Sequence, residues 1–365
     1  MKNGIVAQLQ NQIIFVKTES QKNFRQQKFI SMTKKICQAQ KYFFKISWLL
    51  CFLFSIKNAV AQQDAQFSHS PFLAFVWNPS FAGSYDGLAA GGSFRSQYTL
   101  FNGQPFSQSF YAQMPYAKLH GGFGVSLVND FAAAHRSTDL QIQYAYKKKF
   151  SFGMLNAGVQ AGLLQYSLFG DKLRASDGSY DDGSINHNDP SLPSATANAF
   201  APDLGLGTSL IADNFFVGLA MQHVVSMPLK FATGNGSGQV SYLPTIYLQA
   251  QYNKDWNADW KISPNILFKS DLVKSTLDFN LLAVYKKSIT GGIGFRGFSG
   301  KNFDGVVFTI GYQILNDLFA VYSYDLTTSS LRHGSIGSNE IGIHYRLIPP
   351  PPPPRGKLIY CPRFL

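Results

Sequence analysis

Bulky apolar residues recur at every second position through segment after segment of this chain, and that period restricts its fold more than any other feature. Leu140, Ile142, Tyr144 and Tyr146 alternate with Asp139, Gln141, Gln143 and Lys147. Leu155, Ala157, Val159, Ala161 and Leu163 alternate with Asn156, Gly158, Gln160 and Gly162. Ile341, Ile343, Tyr345 and Leu347 alternate with Glu340, Gly342, His344 and Arg346. A period of two belongs to strands, whose successive side chains leave opposite faces of a sheet. After residue 61 no stretch reaches the roughly 18 uninterrupted apolar residues of a membrane-crossing helix. A chain in lipid must satisfy its backbone hydrogen bonds internally, and the solution left is a closed barrel. Its mark is segments of about ten residues, apolar at alternate positions and separated by turns.

About fourteen such segments can be placed on the chain. They fall near 86–98, 105–115, 119–129, 137–148, 152–165, 202–212, 215–225, 243–254, 257–269, 275–286, 288–298, 304–315, 317–327 and 337–348. The long connections, 166–201, 226–242 and 328–336, are all odd-numbered. Even-numbered ones, such as 116–118, 149–151, 213–214, 255–256 and 316, are short. Outer-membrane barrels combine long external loops with short periplasmic turns. The fold expected is therefore all-β: an antiparallel transmembrane β-barrel of about 14 strands over 86–348, in the outer membrane and in contact with its lipids.

Charge supports the same compartment. The net charge of +12 invites a nucleic-acid reading, but residues 1–61 hold ten Lys and Arg against Glu19 alone. The rest of the chain carries 22 basic and 19 acidic residues, a net +3, so no basic groove for nucleic acid is expected. Residues 32–61 read as a cleaved signal peptide. Lys34, Lys35, Lys41 and Lys45 precede an apolar run from Ile46 to Ile56, and Ala59-Val60-Ala61 is a small-x-small cleavage site. Cleavage between Ala61 and Gln62 is expected, with Met32 as the true start and 1–31 an upstream artefact. Cys37 and Cys51 leave with the leader, so Cys361 remains alone and no disulfide or cysteine metal site can form.

Residues 62–85 admit two readings, a periplasmic lead-in to the first strand or a plug folding into the barrel mouth from below. Phe67, Phe72, Phe75, Trp77 and Phe81 supply apolar weight for the second. The loop 166–201 carries Asp177, Asp181, Asp182 and Asp189 without the spaced ligands and closing Glu of a calcium loop, so no metal is expected. Gly292, Gly294 and Gly297 match a dinucleotide fingerprint by letter, but no helix is expected to follow them. The histidines lack metal-site spacing, and Ser93 is not flanked as in a nucleophile elbow. Glu340, His344, Arg346, Asp278 and Asp139 are expected to face the lumen, chiefly as a structural hydrogen-bond network. Residues 349–354 are six prolines, a polyproline spacer of roughly 19 Å, followed by a basic tail to residue 365.

Several ordered motifs carry a family resemblance. Gln63-Asp64-Ala65-Gln66-Phe67-Ser68 and Asn78-Pro79-Ser80-Phe81-Ala82-Gly83-Ser84 resemble the QDPQFSQ-like opening and NPAxAGS-like turn of the PorP/SprF family of Bacteroidetes outer-membrane proteins. Arg95-Ser96-Gln97-Tyr98 with Asn102-Gly103 resembles its RxQW and NG segment. Gly122-Phe123-Gly124-Val125-Ser126-Leu127 with Asn129-Asp130 resembles its GxGxSLxND hairpin. Pro202-Asp203-Leu204-Gly205 and Phe216-Val217-Gly218-Leu219 resemble two further strands. Ala65, Ser80 and Tyr98 stand where the family usually has Pro, Ala and Trp. The resemblance covers roughly 62–348 and implies a non-enzymatic, cofactor-free component of type IX secretion. Its implied partners are the secretion machinery, including periplasmic parts, and surface cargo such as the adhesins of gliding motility. Asp64, Phe67, Asn78, Pro79, Gly83, Arg95, Asn129, Asp130, Pro202, Asp203 and Gly205 are the motif positions expected to serve structure or partner binding. The rival reading is a porin-like channel for small solutes.

Overall fold

The computed structural model describes residues 64–180, 184–225, 227–233, 236–298 and 303–347. The expected leader, the Ala61–Gln62 junction, Asp181, Asp182 and the proline spacer with its tail lie outside the described residues.

Seven strands run in sequence: β1 (Ala89–Ser96), β2 (Phe106–Tyr116), β3 (Gly121–Ala132), β4 (His135–Phe150), β5 (Gly153–Phe169), β6 (Thr196–Ile211) and β7 (Phe215–Gln222). A small hairpin follows, β8 (Leu229–Ala232) and β9 (Ser237–Val240). The wall resumes with β10 (Thr245–Tyr252), a two-residue extension β11 (Lys254–Asp255), and β12 (Trp260–Ser270). It ends with β13 (Ser275–Tyr285), β14 (Ile289–Phe298), β15 (Gly305–Leu315), β16 (Leu318–Thr327) and β17 (Ser338–Arg346). Every neighbouring pair in the wall is antiparallel, and β10 pairs directly with β12. β17 returns to β1 with Ala89 opposite Arg346 and Ser96 opposite Asn339. Leaving out β8, β9 and β11, fourteen strands form a closed barrel with no free edge.

The alternation resolves into two faces of opposite chemistry. Large aliphatics point outward, with Ile142 65% and Ile310 61% exposed, a pattern that only lipid makes favourable. The inner face carries Ser93, Ser109, Gln143, Asn156, Asn265 and Ser323, all buried. Among the described residues no helix is long and apolar enough to cross a membrane. The end bearing the long connections 170–195, 223–244 and 328–337 is the external one.

All fourteen expected strands are present, but the tallest are longer than alternation suggested. β6 begins at Thr196, where 202 was expected, and β5 continues to Phe169, where 165 was expected. The extra length follows from packing inside the mouth. Leu229 and Phe231 of the hairpin fold against Leu164, Tyr166, Ala197, Ala199 and Ala201, so small and apolar side chains there are covered. Pro202 lies opposite Leu163 of β5, above Leu206, where the ladder to β7 ends. A strand proline, lacking an N–H, is tolerated where one flank is unpaired.

Candidate functional site

The lumen is occupied by the chain's own segment 64–84. Leu73, Phe75, Val76, Trp77 and Phe81 are buried, and the segment contains two short 3-10 turns (Ser70–Phe72 and Pro79–Phe81) around a four-residue helical turn (Ala74–Trp77). Such brief turns are not stable alone. They are held because several of their polar groups meet the wall. Gln222 Nε2 donates to the Val76 and Trp77 carbonyls at 3.0 and 3.2 Å. Asn78 accepts from the Ser80 N–H at 2.9 Å, capping the second 3-10 turn, and its Nδ2 donates to the Thr208 carbonyl at 3.2 Å. Lys147 Nζ donates to the Gly83 carbonyl. Trp77 stacks on Tyr247 with centroids 5.3 Å apart.

The wall is shaped to receive this segment. A Cβ on Gly158 would collide with the Ser80 backbone nitrogen, and one on Gly207 or Gly218 would press on Asn78. Three inward-facing glycines from three adjacent strands therefore form the seat of the Asn78-Pro79-Ser80 turn. Gly83, at φ 62°, crosses Met114 and Gly122 where the segment leaves the barrel.

Two ionic clusters fasten the segment. In the first, Arg95 is fully buried and pairs with Asp325 at 2.5 Å and Glu340 at 3.1 Å. Arg296 reaches the same Asp325 at 2.9 Å. Ser68 Oγ donates to Asp325 at 2.8 Å, and the Ser68 N–H donates to Glu340 at 2.6 Å. His69 Nδ1 lies 3.0 Å from Ser93 Oγ and 3.1 Å from Glu340. Burial holds the His69 ring below its ordinary pKa, against the pull of Glu340. In the second cluster His223 bridges Asp203 at 2.9 Å and Asp64 at 3.1 Å. Tyr247 donates its hydroxyl to Asp64, and Lys269 Nζ donates to the Asp64 carbonyl at 2.7 Å. Burial alone would raise the Asp64 pKa, but His223 and Lys269 outweigh it and hold the carboxyl well below the usual carboxylate range. Burial would lower that of His223, and the two carboxylates instead raise it well above the usual imidazole value.

Most motif positions expected from sequence meet in this arrangement. Asp64, Phe67, Asn78, Pro79 and Gly83 belong to the lumen segment, with the Phe67 ring 5.9 Å from Trp77. Arg95 and Asp203 are its anchors on the wall, and Gly205 packs under the Gln160 side chain. Asp130 faces inward and accepts from Ser107 at 2.5 Å. Asn129 departs from this grouping: its Oδ1 accepts from exposed Arg136 at 2.6 Å and from Thr138 at 3.0 Å, on the outer face. Pro202 also points outward. Of the five residues assigned to a lumen network, Glu340 joins the first cluster. Asp139 accepts from Gln141, which also donates to Asp203. Asp278 accepts from the Gly297 N–H, His344 meets Tyr111, and Arg346 lies over Tyr85. Asp325, Arg296, His69 and His223 were not singled out by sequence, because the signal that links them is proximity across strands far apart in the chain.

Residues 64–84 lie in the lumen with most of their aromatics buried, as the plug reading has them, but the direction differs from that reading. The segment does not rise from the periplasm. Asp64 lies at the external end, beside Tyr247 and Lys269, while Phe72 packs lower, against Phe319 and His344. Trp77 climbs back to Gln222, and Gly83 leaves at the periplasmic end beside Gly122. Cavities of about 280 and 440 Å³ sit beside Asp64 in the external half, and one of about 640 Å³, open to the periplasmic turns, lies beside Phe72.

Comparison with known proteins gives a family and several distant structural likenesses. A family model described as type IX secretion system membrane protein PorP/SprF matches residues 59–345. No curated protein sequence matches the chain. The toluene transporter TbuX of Ralstonia pickettii is 13% identical with a TM-score of 0.46, covering 75% of this chain and 93% of that one. The outer membrane protein Omp33 of Acinetobacter baumannii is 8% identical with a TM-score of 0.42, covering 73% and 100%. Likeness at this distance says nothing of what the present barrel binds or passes.

Proposed function

This chain belongs to the PorP/SprF family of type IX secretion system membrane proteins, and from that premise we propose that it is a plugged, non-enzymatic outer-membrane component supporting secretion or surface attachment of specific cargo, such as adhesins. The observation that carries this reading is the filled lumen. A diffusion channel needs an aqueous path, whereas here the buried segment 64–84 is tied to β1, β6, β7, β10, β12, β16 and β17 by hydrogen bonds and to His223 by an ion pair. Buried ion pairs with satisfied partners are hard to break one at a time, since each leaves an uncompensated charge. Such a closed barrel suits a scaffold that meets partners at its two ends, cargo at the external loops and machinery at the periplasmic turns.

The non-enzymatic reading has support in the Ser93–His69–Glu340 grouping. Ser93 Oγ donates straight to Glu340 at 2.6 Å, and both Ser93 and Glu340 approach the same His69 nitrogen, Nδ1. A nucleophilic triad needs the base to hold the serine through one ring nitrogen and the acid through the other. All three side chains are buried, with no room for a substrate carbonyl.

The test is removal of the gene product in its own host. Surface display of one or more C-terminally signalled cargo proteins is expected to fall while general small-solute uptake stays unchanged. Unchanged display of every such cargo would overturn the secretion reading, and lost uptake with normal display would establish the porin alternative.

A further inference from the structure

Asp130 of β3 and Asp139 of β4 both face a cavity of about 280 Å³ in the external half of the lumen. Its lining includes Val128, Gln141 and Leu164 from the wall and Asp64 and Trp77 from the lumen segment. Ser137 lies opposite Asp130 in the ladder between the two strands, so Asp139 is a diagonal neighbour of Asp130 on the same inner face. Such neighbours have Cβ atoms roughly 7 Å apart, close enough for one cation to meet both carboxylates. Among the described residues neither acid has an ion-pair partner. Asp130 accepts from Ser107 and Asp139 from Gln141, both neutral donors. The cations at hand are committed elsewhere. His223 bridges Asp64 and Asp203, and Lys269 Nζ donates to the Asp64 carbonyl. The His135 ring, also at the cavity, stacks on Tyr166. Two carboxylates withdrawn from bulk water without a counter-charge are costly, and a cation in the space between them relieves that cost.

A third acceptor at the same place is unpaired. Gln141 is 2% exposed, and its Nε2 donates to Asp139 and to Asp203 at 2.6 Å each. Its Oε1 is buried with no hydrogen-bond partner among the described residues, on the inner side of the wall over Gly162. We propose that the cavity is a binding site for a primary alkylammonium, held by the Asp130 and Asp139 carboxylates and Gln141 Oε1, with Val128 and Leu164 against its hydrocarbon chain. An ammonium carries three N–H donors and no acceptor, which matches this set of three acceptors. A volume at the lower end of small-molecule sites suits one short chain. The cavity also has a way in. Asp64, Ala65 and Asp130 line both it and the open chamber of about 440 Å³ at the external mouth, so the two spaces adjoin. The same group can arrive on a free amine or as the lysine side chain of an external peptide.

The inference rests on the chemistry of this cavity and not on the secretion role, so the two fail separately. The experiment titrates the purified full chain in detergent with n-butylammonium by calorimetry, at about pH 8, where carboxyls are ionised and the amine is still charged. Saturable one-site binding is expected, and 1-butanol, which has the same hydrocarbon and no charge, is expected not to compete. Asp139→Asn should weaken binding about ten-fold or more, the loss of one charge-assisted hydrogen bond, and Asp130→Asn should act in the same direction. Asp304→Asn lines only the outer chamber and should bind as the parent does. Heat-modifiable migration confirms that each variant is folded, and the parent's choice between amine and alcohol decides the matter if one is not. A capped Gly-Lys-Gly peptide that binds more tightly than butylammonium would identify the source as a peptide lysine, and a weaker one would identify a free amine; both support the site. A cavity that holds water only would give no saturable heat. That result, equal competition by 1-butanol, or unchanged affinity in the folded Asp130→Asn/Asp139→Asn double variant would overturn the proposal.

Discussion

Arg95 shows how much one residue can organise in this barrel. It joins Asp325, Glu340 and Ser68, so β1, β16, β17 and the lumen segment meet at one guanidinium. Arg95→Met leaves two buried carboxylates short of a partner, for which a loss of about 3–5 kcal/mol is expected. Arg95→Lys should recover only part of it, because a lysine cannot present a planar fork to both acids. Thermal unfolding in detergent checks both. The Asp64–His223 pair predicts a pH dependence whose sign follows from its two shifts. The raised His223 value gives stabilisation that is complete below the ordinary imidazole value of 6.5 and is lost as pH climbs through the folded value. The lowered Asp64 value gives stabilisation complete above the ordinary 3.8 and lost as pH falls through its folded value. Protection of the lumen segment from hydrogen exchange should therefore be greatest between about pH 4 and 6.5. It should weaken toward high pH, and His223→Gln should remove the alkaline limb. The sequence pointed Glu340 inward by strand parity and marked Arg95 as a motif position without assigning it a face. It could not give their height in the barrel, which decides whether two inward charges touch.

At the level of elements, the lumen segment and its glycine seat are a matched pair. Gly158 is inward-facing beneath Ser80, whereas a Cβ on Gly291 would meet nothing within 4 Å. Gly158→Val is therefore expected to displace the Asn78-Pro79-Ser80 turn, increasing ion conductance in planar bilayers and protease cleavage within 64–84. Gly291→Val, on the outer face, should leave both as in the parent. Equal behaviour of the two variants would show that the seat does not position the segment. The strands themselves were legible because alternation repeats over ten or so residues. The hairpin Leu229–Ala232 and Ser237–Val240 was not, since four residues are too few for a period to register. The extra residues of β5 and β6 were hidden for a related reason. Ala197, Ala199 and Ala201 are small, and only the hairpin packed over them makes their alternation a buried face.

For the whole molecule, closure and filling make one prediction about transport. The intact protein in a planar bilayer should show little or no steady conductance, and deletion of 64–84 should open a stable pore while lowering the unfolding temperature. A large steady conductance from the intact protein would contradict a filled lumen. The amino-acid sequence by itself determined that fourteen strands form, which face of each meets lipid, and which end carries the long loops. Those properties are local: a period of two, a turn residue and a loop length are each read within a few residues. The motifs near the start marked residues 64–84 as distinctive, yet left lead-in and plug both open. Tertiary structure alone decided that this segment lies inside the barrel, that it enters from the external end, and that Asp64, Arg95, His223, Asp325 and Glu340 act together. The reason is physical. Closing a barrel sets residues from 64 to 340 around one narrow space, and their pairing depends on distances across that space, on which linear spacing carries no information.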